Sequence, residues 1–289
     1  MHDLDSRPIK VIQFTPQSAL RSPVQLFGDI LQNVRDGWAL AWRMFLRNLK
    51  GQYRQTFLGL FWVFLPPLAN TALWVLLASR GVTNFAETIG AKYTIYVLTG
   101  MVLWQAFIDG LLAPLNSIQS NRSMLSKLRF PRESILMVGA LEVLFDLAVR
   151  TLVLIPLLLW FGMTYSNWLF VVPVAALALV CLSIGLGCLM MPWGMLYQDI
   201  GKLLTVATPL WMILTQIVYP PPQDWASNPL NWANPASPLL LWARDILVVG
   251  QSDHLWAAIV YATLAVPIFI AGLVVYRVAI PVLVERVSN

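Results

Sequence analysis

The chain has 289 residues, of which 58% are hydrophobic and 11% are charged, with a net charge of +5 and a mean hydropathy of +0.68. This composition excludes an ordinary soluble domain, in which about a quarter of the residues carry charge. Because the Lys and Arg residues cluster beside apolar segments, the positive charge indicates membrane topology, and we expect no nucleic-acid partner.

Residues 1–25 hold three prolines and no hydrophobic period, which predicts a flexible cytoplasmic arm. Residues 26–55 are predicted to form an amphipathic helix in the cytoplasmic interface, because aromatic residues and cations fall on opposite faces. This helix is either a plain membrane anchor or also the border of an entry route for an anionic, lipid-linked substrate. The residues that we assign to the interface and the lipid headgroup are Trp38, Trp42, Arg43, Arg47, Lys50, Tyr53 and Arg54.

Residues 56–289 are predicted to form an all-α integral membrane domain of six transmembrane helices, because a helix needs about 20 apolar residues to cross the hydrocarbon core. The fifth span is the weakest, since it is short and contains Thr205, Thr208 and Pro209. Most of the 19 Lys and Arg residues precede the first span or lie in alternate loops and the tail, so both termini are predicted to be cytoplasmic. The spans cover approximately 56–79, 93–114, 135–160, 168–191, 203–219 and 255–276.

The third predicted span carries Glu142, Asp146 and Arg150 at i, i+4 and i+8, on one stripe of the helix. An intramembrane charge costs at least about 2.5 kcal/mol on insertion scales, so these side chains are expected to face the bundle interior and to pair. We predict an Asp146–Arg150 pair, with Asp109 of the second span either near a lipid headgroup or part of the same network. The alternative is a proton or ion relay, which normally needs a chain of acids across the membrane.

The outer segment between the fifth and sixth spans, residues 220–254, includes an apolar run from Pro238 to Gly250 that is too short to cross a membrane. Asn-Pro pairs precede this run, so we predict two short re-entrant helices. We interpret the segment as an outer gate, and the alternative is an aromatic-belt loop on the membrane surface. The gate residues are Trp232, Asn234, Pro235, Trp242, Arg244 and Asp245.

The sequence shows no pattern typical of an enzyme. The stretch GMLYQDIGKLL from Gly194 has six residues between its glycines, where a phosphate-binding loop has four, and Leu203 replaces the Ser or Thr that would bind magnesium. The two histidines, His2 and His254, lie outside the predicted spans, so we expect no metal site and no catalytic residues. We therefore predict that the chain has no ATPase of its own and no bound cofactor.

Four blocks of the sequence, taken in order, resemble a known family. They are LKGQYRQTFLGLFWVFLPPL (Leu49 to Leu68), NRSMLSKLRFPRES (Asn121 to Ser134), YQDIGKLL (Tyr197 to Leu204) and the Asn-Pro pair at Asn234. Together they are similar to the permease subunit of the bacterial type-2 ABC exporters for polysaccharides, O antigen and teichoic acids. The resemblance implies that two copies of the chain form a homodimer, embedded in the lipids of the bacterial cytoplasmic (inner) membrane. It also implies two separate ATPase subunits that bind ATP and magnesium, and an undecaprenyl diphosphate-linked glycan or related polymer as substrate.

The resemblance further implies a role for the basic cytoplasmic loop at residues 116–134, which corresponds to the coupling loop that docks into the ATPase groove in that family. Its cations would meet acidic or backbone groups of the ATPase, and Phe130-Pro131 would form a stiff apolar knob. By the same resemblance, the basic interfacial helix lies near the lipid diphosphate and the re-entrant segment is the outer gate. The coupling-loop residues are Asn121, Arg122, Lys127, Arg129, Phe130, Pro131, Arg132 and Glu133.

Two alternatives belong to other classes of protein. A secondary transporter driven by protons or ions would need a midplane ion site, for which Glu142 and Asp146 are the only support. A membrane enzyme of polyprenol-linked glycan assembly would need acids on aqueous loops to hold a metal diphosphate. Within an exporter, O antigen, capsule and teichoic acid all fit the pattern as cargo. The loop acids available to such an enzyme are scattered, at Asp199, Asp224, Asp245 and Asp253.

Overall fold

The computed structural model describes residues 23–54, 57, 59–81, 92–121, 131–161, 167–197, 199–222 and 224–288, and the regular structure of these residues is helical. Short 3₁₀ turns at Asn167–Val171 and Trp225–Ser227 precede two of the α-helices. The α-helices, numbered in chain order, are α1 (Pro23–Arg54), α2 (Phe61–Ser79), α3 (Tyr93–Ser120), α4 (Glu133–Trp160), α5 (Val172–Leu196), α6 (Asp199–Leu214), α7 (Pro229–Ala233), α8 (Ser237–Val248) and α9 (Leu255–Ser288).

Five helices among the described residues are long and apolar enough to cross a membrane: α2, α3, α4, α5 with the 3₁₀ turn before it, and Leu255–Ile280 of α9. They match the first four and the last of the predicted spans. The remaining predicted span, 203–219, corresponds to α6, which has 16 residues and ends at Leu214. At about 1.5 Å per residue, α6 is shorter than a hydrocarbon core of about 30 Å, so a sixth span stays a prediction.

The third helix, α3, lies at the centre of the bundle and packs against α2, α4, α5 and α8. Its side chains at Val97, Phe107 and Ile118 are at most 1% exposed. In the most apolar part of α3, 78% of the residues are buried, compared with 22% for α2 and 17% for α9. Helix α3 is therefore shielded by its own chain, whereas most residues in the apolar parts of α2 and α9 are at least partly exposed.

Helices α5 and α9 approach each other backbone to backbone, through a glycine on each. A Cβ atom added to Gly185 would lie 2.8 Å from the Cα atom of Phe269. A Cβ atom added to Gly272 would lie 2.5 Å from the carbonyl oxygen of Gly185. Small residues at such crossings allow membrane helices to pack closely without a polar driving force. The two helices therefore form a tightly packed support that runs between the two ends of the bundle.

Helix α1 begins at Pro23, before the predicted boundary at residue 26, and ends at Arg54. Trp38 and Trp42 are 51% and 44% exposed, and their rings stack with 6.4 Å between centroids. Phe45, on the same predicted face, is instead buried and packs edge-on against Phe145 of α4 at 6.0 Å. The amphipathic helix is thus docked on α4 through Phe45, while the neighbouring tryptophans of the same face stay exposed.

Candidate functional site

The structure describes both ends of the predicted coupling loop, and α3 and α4 each extend into its predicted range of 116–134. At the first end, the buried side-chain amide of Asn121 donates to the carbonyl oxygen of Ser117 at 2.8 Å. At the second end, the hydroxyl of Tyr276 on α9 donates to the carbonyl oxygen of Arg132 at 3.1 Å. The first hydrogen bond caps the end of α3, and the second attaches the other end of the loop to α9. The coupling-loop residues outside the described part of the chain are Arg122, Lys127, Arg129 and Phe130.

Glu133 lies near the end of the coupling loop, in the first turn of α4, and its side chain is 9% exposed. Its Oε1 atom accepts a hydrogen bond from Nδ2 of Asn33 on α1 at 3.1 Å. The same oxygen lies 3.6 Å from Nη1 of Arg277 on α9. The dipole of α4 adds to these contacts, because negative charge is stabilised at a helix N-terminus. Glu133 therefore joins three helices at the point where the coupling loop enters the bundle.

A second contact between α1 and α4 lies one residue further along the chain. The hydroxyl of Ser134 donates to the carbonyl oxygen of Gly37 at 3.4 Å. A Cβ atom at Gly37 would clash with that hydroxyl, so any larger residue there would displace the serine side chain. A movement at the start of α4 therefore reaches α1 by direct contact.

Arg150 of α4 is 4% exposed, and its guanidinium contacts groups on two other helices. Its Nη1 atom lies 2.6 Å from Oδ2 of Asp109 on α3. Its Nε atom donates to the carbonyl oxygen of Val63 on α2 at 3.1 Å. That carbonyl has no donor within its own helix, because Pro67 lacks the N–H that would reach it. The arginine therefore satisfies a carboxylate and an orphaned carbonyl together.

The predicted Asp146–Arg150 pair is wrong, because Arg150 makes its ion pair with Asp109 in the part of the chain that the structure describes. Residues four apart on a helix lie along its surface, whereas Asp109 meets the guanidinium across a helix-helix contact. That approach also directs Nε of Arg150 towards α2. Asp109 is thus part of the charge network, and its Oδ1 atom accepts a further hydrogen bond from Nε2 of Gln105 at 2.9 Å.

A polar pocket of about 480 Å³ lies between α1, α3 and α4 and connects these charges with the first end of the coupling loop. Within it, Glu142 accepts a hydrogen bond from the side-chain amide of Asn48 on α1 at 3.0 Å. Among the described residues, three carboxylates and one arginine line the pocket, so this part of its wall does not favour an anionic headgroup. Arg43, Lys50 and Arg54 are exposed elsewhere on α1. The polar lining consists of Arg47, Asn48, Gln52, Asp109, Asn116, Ser117, Ser120, Asn121, Glu142 and Asp146.

At the other end of the bundle, Arg244 of α8 is completely buried. Its Nη1 atom donates to the carbonyl oxygens of Gln216 and Ile217 at 2.9 and 3.3 Å. Its guanidinium carbon lies 3.8 Å from the centroid of the Tyr96 ring on α3, which is a cation-π contact. Its Nη2 atom lies 3.1 Å from Oδ1 of Asp245. Two of the predicted gate residues therefore tie α8 to α3 and to the turn that follows α6.

A histidine completes the cluster around Arg244 and Asp245, which we call the outer cluster after its predicted side of the membrane. Ser252 donates through its hydroxyl to Oδ2 of Asp245 at 3.3 Å, and Nε2 of His254 lies 4.0 Å from the same oxygen. The imidazole also packs on the ring of Trp225, with 4.9 Å between centroids. Burial lowers the pKa of His254, and the neighbouring Asp245 carboxylate offsets only part of that effect. No three His, Cys, Asp or Glu side chains of the described residues are grouped as metal ligands.

The sequence pattern singled out His254 only for metal or base chemistry and missed its contact with Asp245. The signal that could have located it is its position directly before the last apolar helix, which places it at the same end as the predicted gate. Tyr96 was missed for a different reason, since a tyrosine inside an apolar span resembles any other core residue.

Asn234 of the predicted gate organises the chain between α6 and α8. Its Oδ1 atom accepts hydrogen bonds from Nε1 of Trp211 at 3.0 Å and from the backbone N–H of Ala236 at 3.2 Å. Its Nδ2 atom donates to the hydroxyl of Thr215 at 3.0 Å. One amide side chain therefore holds the end of α6 against the start of α8.

The outer segment is packed into the bundle. Ten of the 12 residues of α8 are buried, and this helix contacts α3, α5 and α9. Trp242 is 2% exposed, Trp232 packs on Trp225 with 5.6 Å between centroids, and Pro235 lies in the turn between α7 and α8. The described aromatic side chains Trp225 and Trp242 are therefore packed against other parts of the protein, and the outer gate stays a prediction.

No family model matches the chain, but it is similar to known export permeases. It is 23% identical over 235 residues to the O-antigen export system permease protein RfbA of Klebsiella pneumoniae, which covers 80% of this chain and 88% of that protein. A protein of the same name from Myxococcus xanthus is 25% identical over 182 residues, 60% of this chain and 65% of its own length. The polysialic acid transport protein KpsM of Escherichia coli is 24% identical over 242 residues, 81% and 91% of the two chains.

These similarities confirm the resemblance to polysaccharide export permeases that the four sequence blocks indicate. Together with the five apolar helices, they show a multi-pass protein of the inner membrane.

Proposed function

We propose that the chain is the transmembrane subunit of an ATP-driven ABC exporter that moves a lipid-linked polysaccharide across the cytoplasmic membrane. The observation that carries this proposal is the similarity of the chain to two export proteins. It aligns with an O-antigen export permease over 80% of its length and with a polysialic acid transport protein over 81%. O antigen and polysialic acid are both polysaccharides, so we assign a polymer of this class to the chain. O antigen, capsule and teichoic acid remain the candidate cargoes.

A separate ATPase subunit supplies the energy in this proposal, since the glycine spacing after Gly194 does not suit a phosphate-binding loop. The coupling loop at residues 116–134 is the docking element in this proposal. Each of the two copies of the chain docks one ATPase subunit through its own loop. Its second end is attached to α9 through Arg132, and Glu133 extends the connection to α1. An ATPase that moves the docked loop would thereby move three helices together.

A second copy of the chain completes the transport path. Leu203, Val206, Leu210 and Leu214 of α6 are each more than 60% exposed, with fractions of 62, 69, 63 and 67%. Helix α6 is shorter than the hydrocarbon thickness, and association with another helix is one way in which a short apolar helix accommodates such a mismatch. We therefore assign the exposed faces of α6 and α2 to the contact between two copies, with the channel between them.

The lipid carrier of the substrate is undecaprenyl diphosphate or a related anion in this proposal. Arg43, Lys50 and Arg54 are exposed on α1 and are available to its phosphates, which arginine binds through paired hydrogen bonds. The acidic pocket on the other side of α1 does not favour the same headgroup. The diphosphate therefore stays at the exposed face of α1, and a plain membrane anchor is the alternative role of this face.

The proposal is tested by isolating an affinity-tagged chain from its native membranes in a mild detergent and identifying the retained proteins by mass spectrometry. The expected result is an ATPase subunit in stoichiometric amount, absent from a parallel preparation of untagged membranes. A monodisperse chain that retains no ATPase would contradict the proposal.

A further inference from the structure

A second pocket, of about 400 Å³, lies at the outer end of the bundle, apart from the acidic pocket beside α1. It is bordered by the 3₁₀ turn before α5, by the C-terminal part of α8 and by the loop that leads into α9. All of the described residues that line it are uncharged. The side chains that matter for its chemistry are Asn167, Trp168, Trp242, Gln251 and Ser252.

The walls of this outer pocket are held in place by contacts within the protein. Gly250 has a φ of +86°, a conformation that favours glycine, and its N–H donates to the carbonyl oxygen of Asp245 at 2.9 Å. Ser252 donates through its hydroxyl to the Asp245 carboxylate at 3.3 Å. Trp168 and Trp242 meet edge to face, with 6.5 Å between centroids. These contacts give the pocket its shape before any ligand arrives, and such preorganisation favours binding.

The pocket combines an aromatic wall with neutral polar groups. Trp168 is 47% exposed and Trp242 only 2%, so Trp168 supplies most of the indole surface that a ligand can reach. The exposed side chains of Asn167 and Gln251 each offer both hydrogen-bond donors and an acceptor. The absence of a cation among the lining residues leaves a phosphate or carboxylate without a charge partner. The two amides make the pocket too polar for an acyl chain.

A sugar ring matches this arrangement better than an anionic group or an acyl chain does. A pyranose has an apolar C–H face that packs on an indole, and a rim of hydroxyls that amides can bind. The volume lies within the range of about 300 to 1,000 Å³ that is usual for small-ligand pockets.

We propose that this pocket binds one pyranose residue of a glycan, with its C–H face against Trp168 and its hydroxyls hydrogen-bonded to Asn167 and Gln251. The inference rests on the proposed function for the source of the glycan, which is the exported polymer, but the binding step needs neither ATP nor the ATPase. Trp242 and the Asp245–Ser252 contact connect the pocket to the predicted gate. An emerging polymer would therefore be held beside the gate through one of its sugar residues.

Saturation-transfer difference NMR on the full chain in nanodiscs tests the proposal, with the methyl glycosides of glucose, galactose, mannose, rhamnose and N-acetylglucosamine as probes. At least one probe should receive saturation, mainly on the C–H protons of one ring face. Trp168→Leu removes the indole and should weaken binding about fivefold, whereas Trp168→Phe, which keeps an aromatic ring, should retain most of it. Trp256→Leu is the matched control, because Trp256 is 71% exposed at the same end of the bundle.

Two results would overturn the proposal. One is the absence of saturation on every probe with the unmodified chain, and the other is equal binding by the unmodified chain and Trp168→Leu. Should the changes at Trp168 alter thermal stability without any sugar binding, the residue is an interfacial anchor and the sugar site does not exist. None of these results depends on recovering an ATPase, so the sugar site and the export function can fail separately.

Discussion

Arg150 of α4 and Asp109 of α3 form an ion pair of 2.6 Å at the centre of the bundle. The same guanidinium donates to the carbonyl oxygen of Val63, which Pro67 leaves without a helical donor. One arginine thus connects α2, α3 and α4 beside the polar pocket that leads to the coupling loop. Arg150 of the third predicted span is therefore best explained as a structural junction between helices.

Replacing Asp109 with Leu should destabilise the protein by about 3 to 5 kcal/mol, because the change leaves a buried guanidinium without its counter-ion. Asp146→Leu is the matched control, since Asp146 lines the same pocket but does not form the ion pair. Thermal unfolding of the detergent-solubilised variants measures both effects. If the two changes lower the midpoint equally, the Arg150 charge does not depend on Asp109 in particular, and the assignment is wrong.

Glu133→Ala should separate ATP hydrolysis from export. The change removes the acceptor of Asn33 and Arg277, and a hydrogen bond to a charged group contributes about 1.5 to 3 kcal/mol. The variant should keep its ATPase bound and active while export per ATP hydrolysed falls. Asp36→Ala, at an exposed acid of α1, should leave this ratio unchanged. A normal ratio in Glu133→Ala would remove this junction from the coupling path.

Arg129→Glu combined with Arg132→Glu should abolish export while leaving the membrane fold intact, because both changes lie in a polar loop. The reversed charges would repel the acidic groups that we expect in the ATPase groove. Export in cells and the amount of ATPase retained per chain are the two measurements. Arg80→Glu, at an exposed cation after α2, serves as the control and should change neither. Unchanged export in the double variant would refute the docking role of this loop.

Acidification should destabilise the outer cluster through His254. Burial keeps the pKa of His254 below its ordinary value, so the unfolded chain binds this proton more readily than the folded chain. The corresponding stability is complete above a pH of about 6.5, the unperturbed value for histidine, and is lost as the pH falls below it through the folded-state pKa.

The thermal midpoint should therefore fall more in the unmodified chain than in His254→Gln between about pH 7.5 and about pH 5.5. The charged neighbours of the imidazole, Arg244, Asp245 and Asp253, are present in both proteins, so the difference reports the titration of His254 together with its effect on Asp245. An identical fall in both proteins would show that His254 is not the titrating group.

Hydropathy and charge placement were sufficient to predict the apolar helices, because span length and composition are local properties of the sequence. The ion-pair partner of Arg150 was not predictable in this way. It depends on Asp109, 41 residues away along the chain, and on a carbonyl that a proline in a third helix releases. The i, i+4 spacing pointed to Asp146 because sequence spacing describes only neighbours on the same helix.

At both ends of the bundle, local sequence patterns likewise predicted the helices but not the contacts between them. Periodicity predicted the amphipathic helix α1, but its docking on α4 through Phe45 depends on the position of Phe145 in the folded chain. The Asn-Pro pairs marked the starts of α7 and α8, since Asn228 caps α7 and Asn234 bonds the N–H of Ala236. The burial of Arg244 over Tyr96 could not be read from the same motifs.

ATP-dependent translocation of the native lipid-linked polymer in proteoliposomes tests the central claim most directly, with the purified chain and the ATPase that it retains as the protein components. The account predicts translocation that requires ATP, persists when the proton gradient is collapsed, and is lost in the Arg129→Glu, Arg132→Glu double variant. Translocation that continues without ATP and stops when the proton gradient is collapsed would contradict it. That result would return Glu142 and Asp146 to consideration as parts of an ion-coupled transporter.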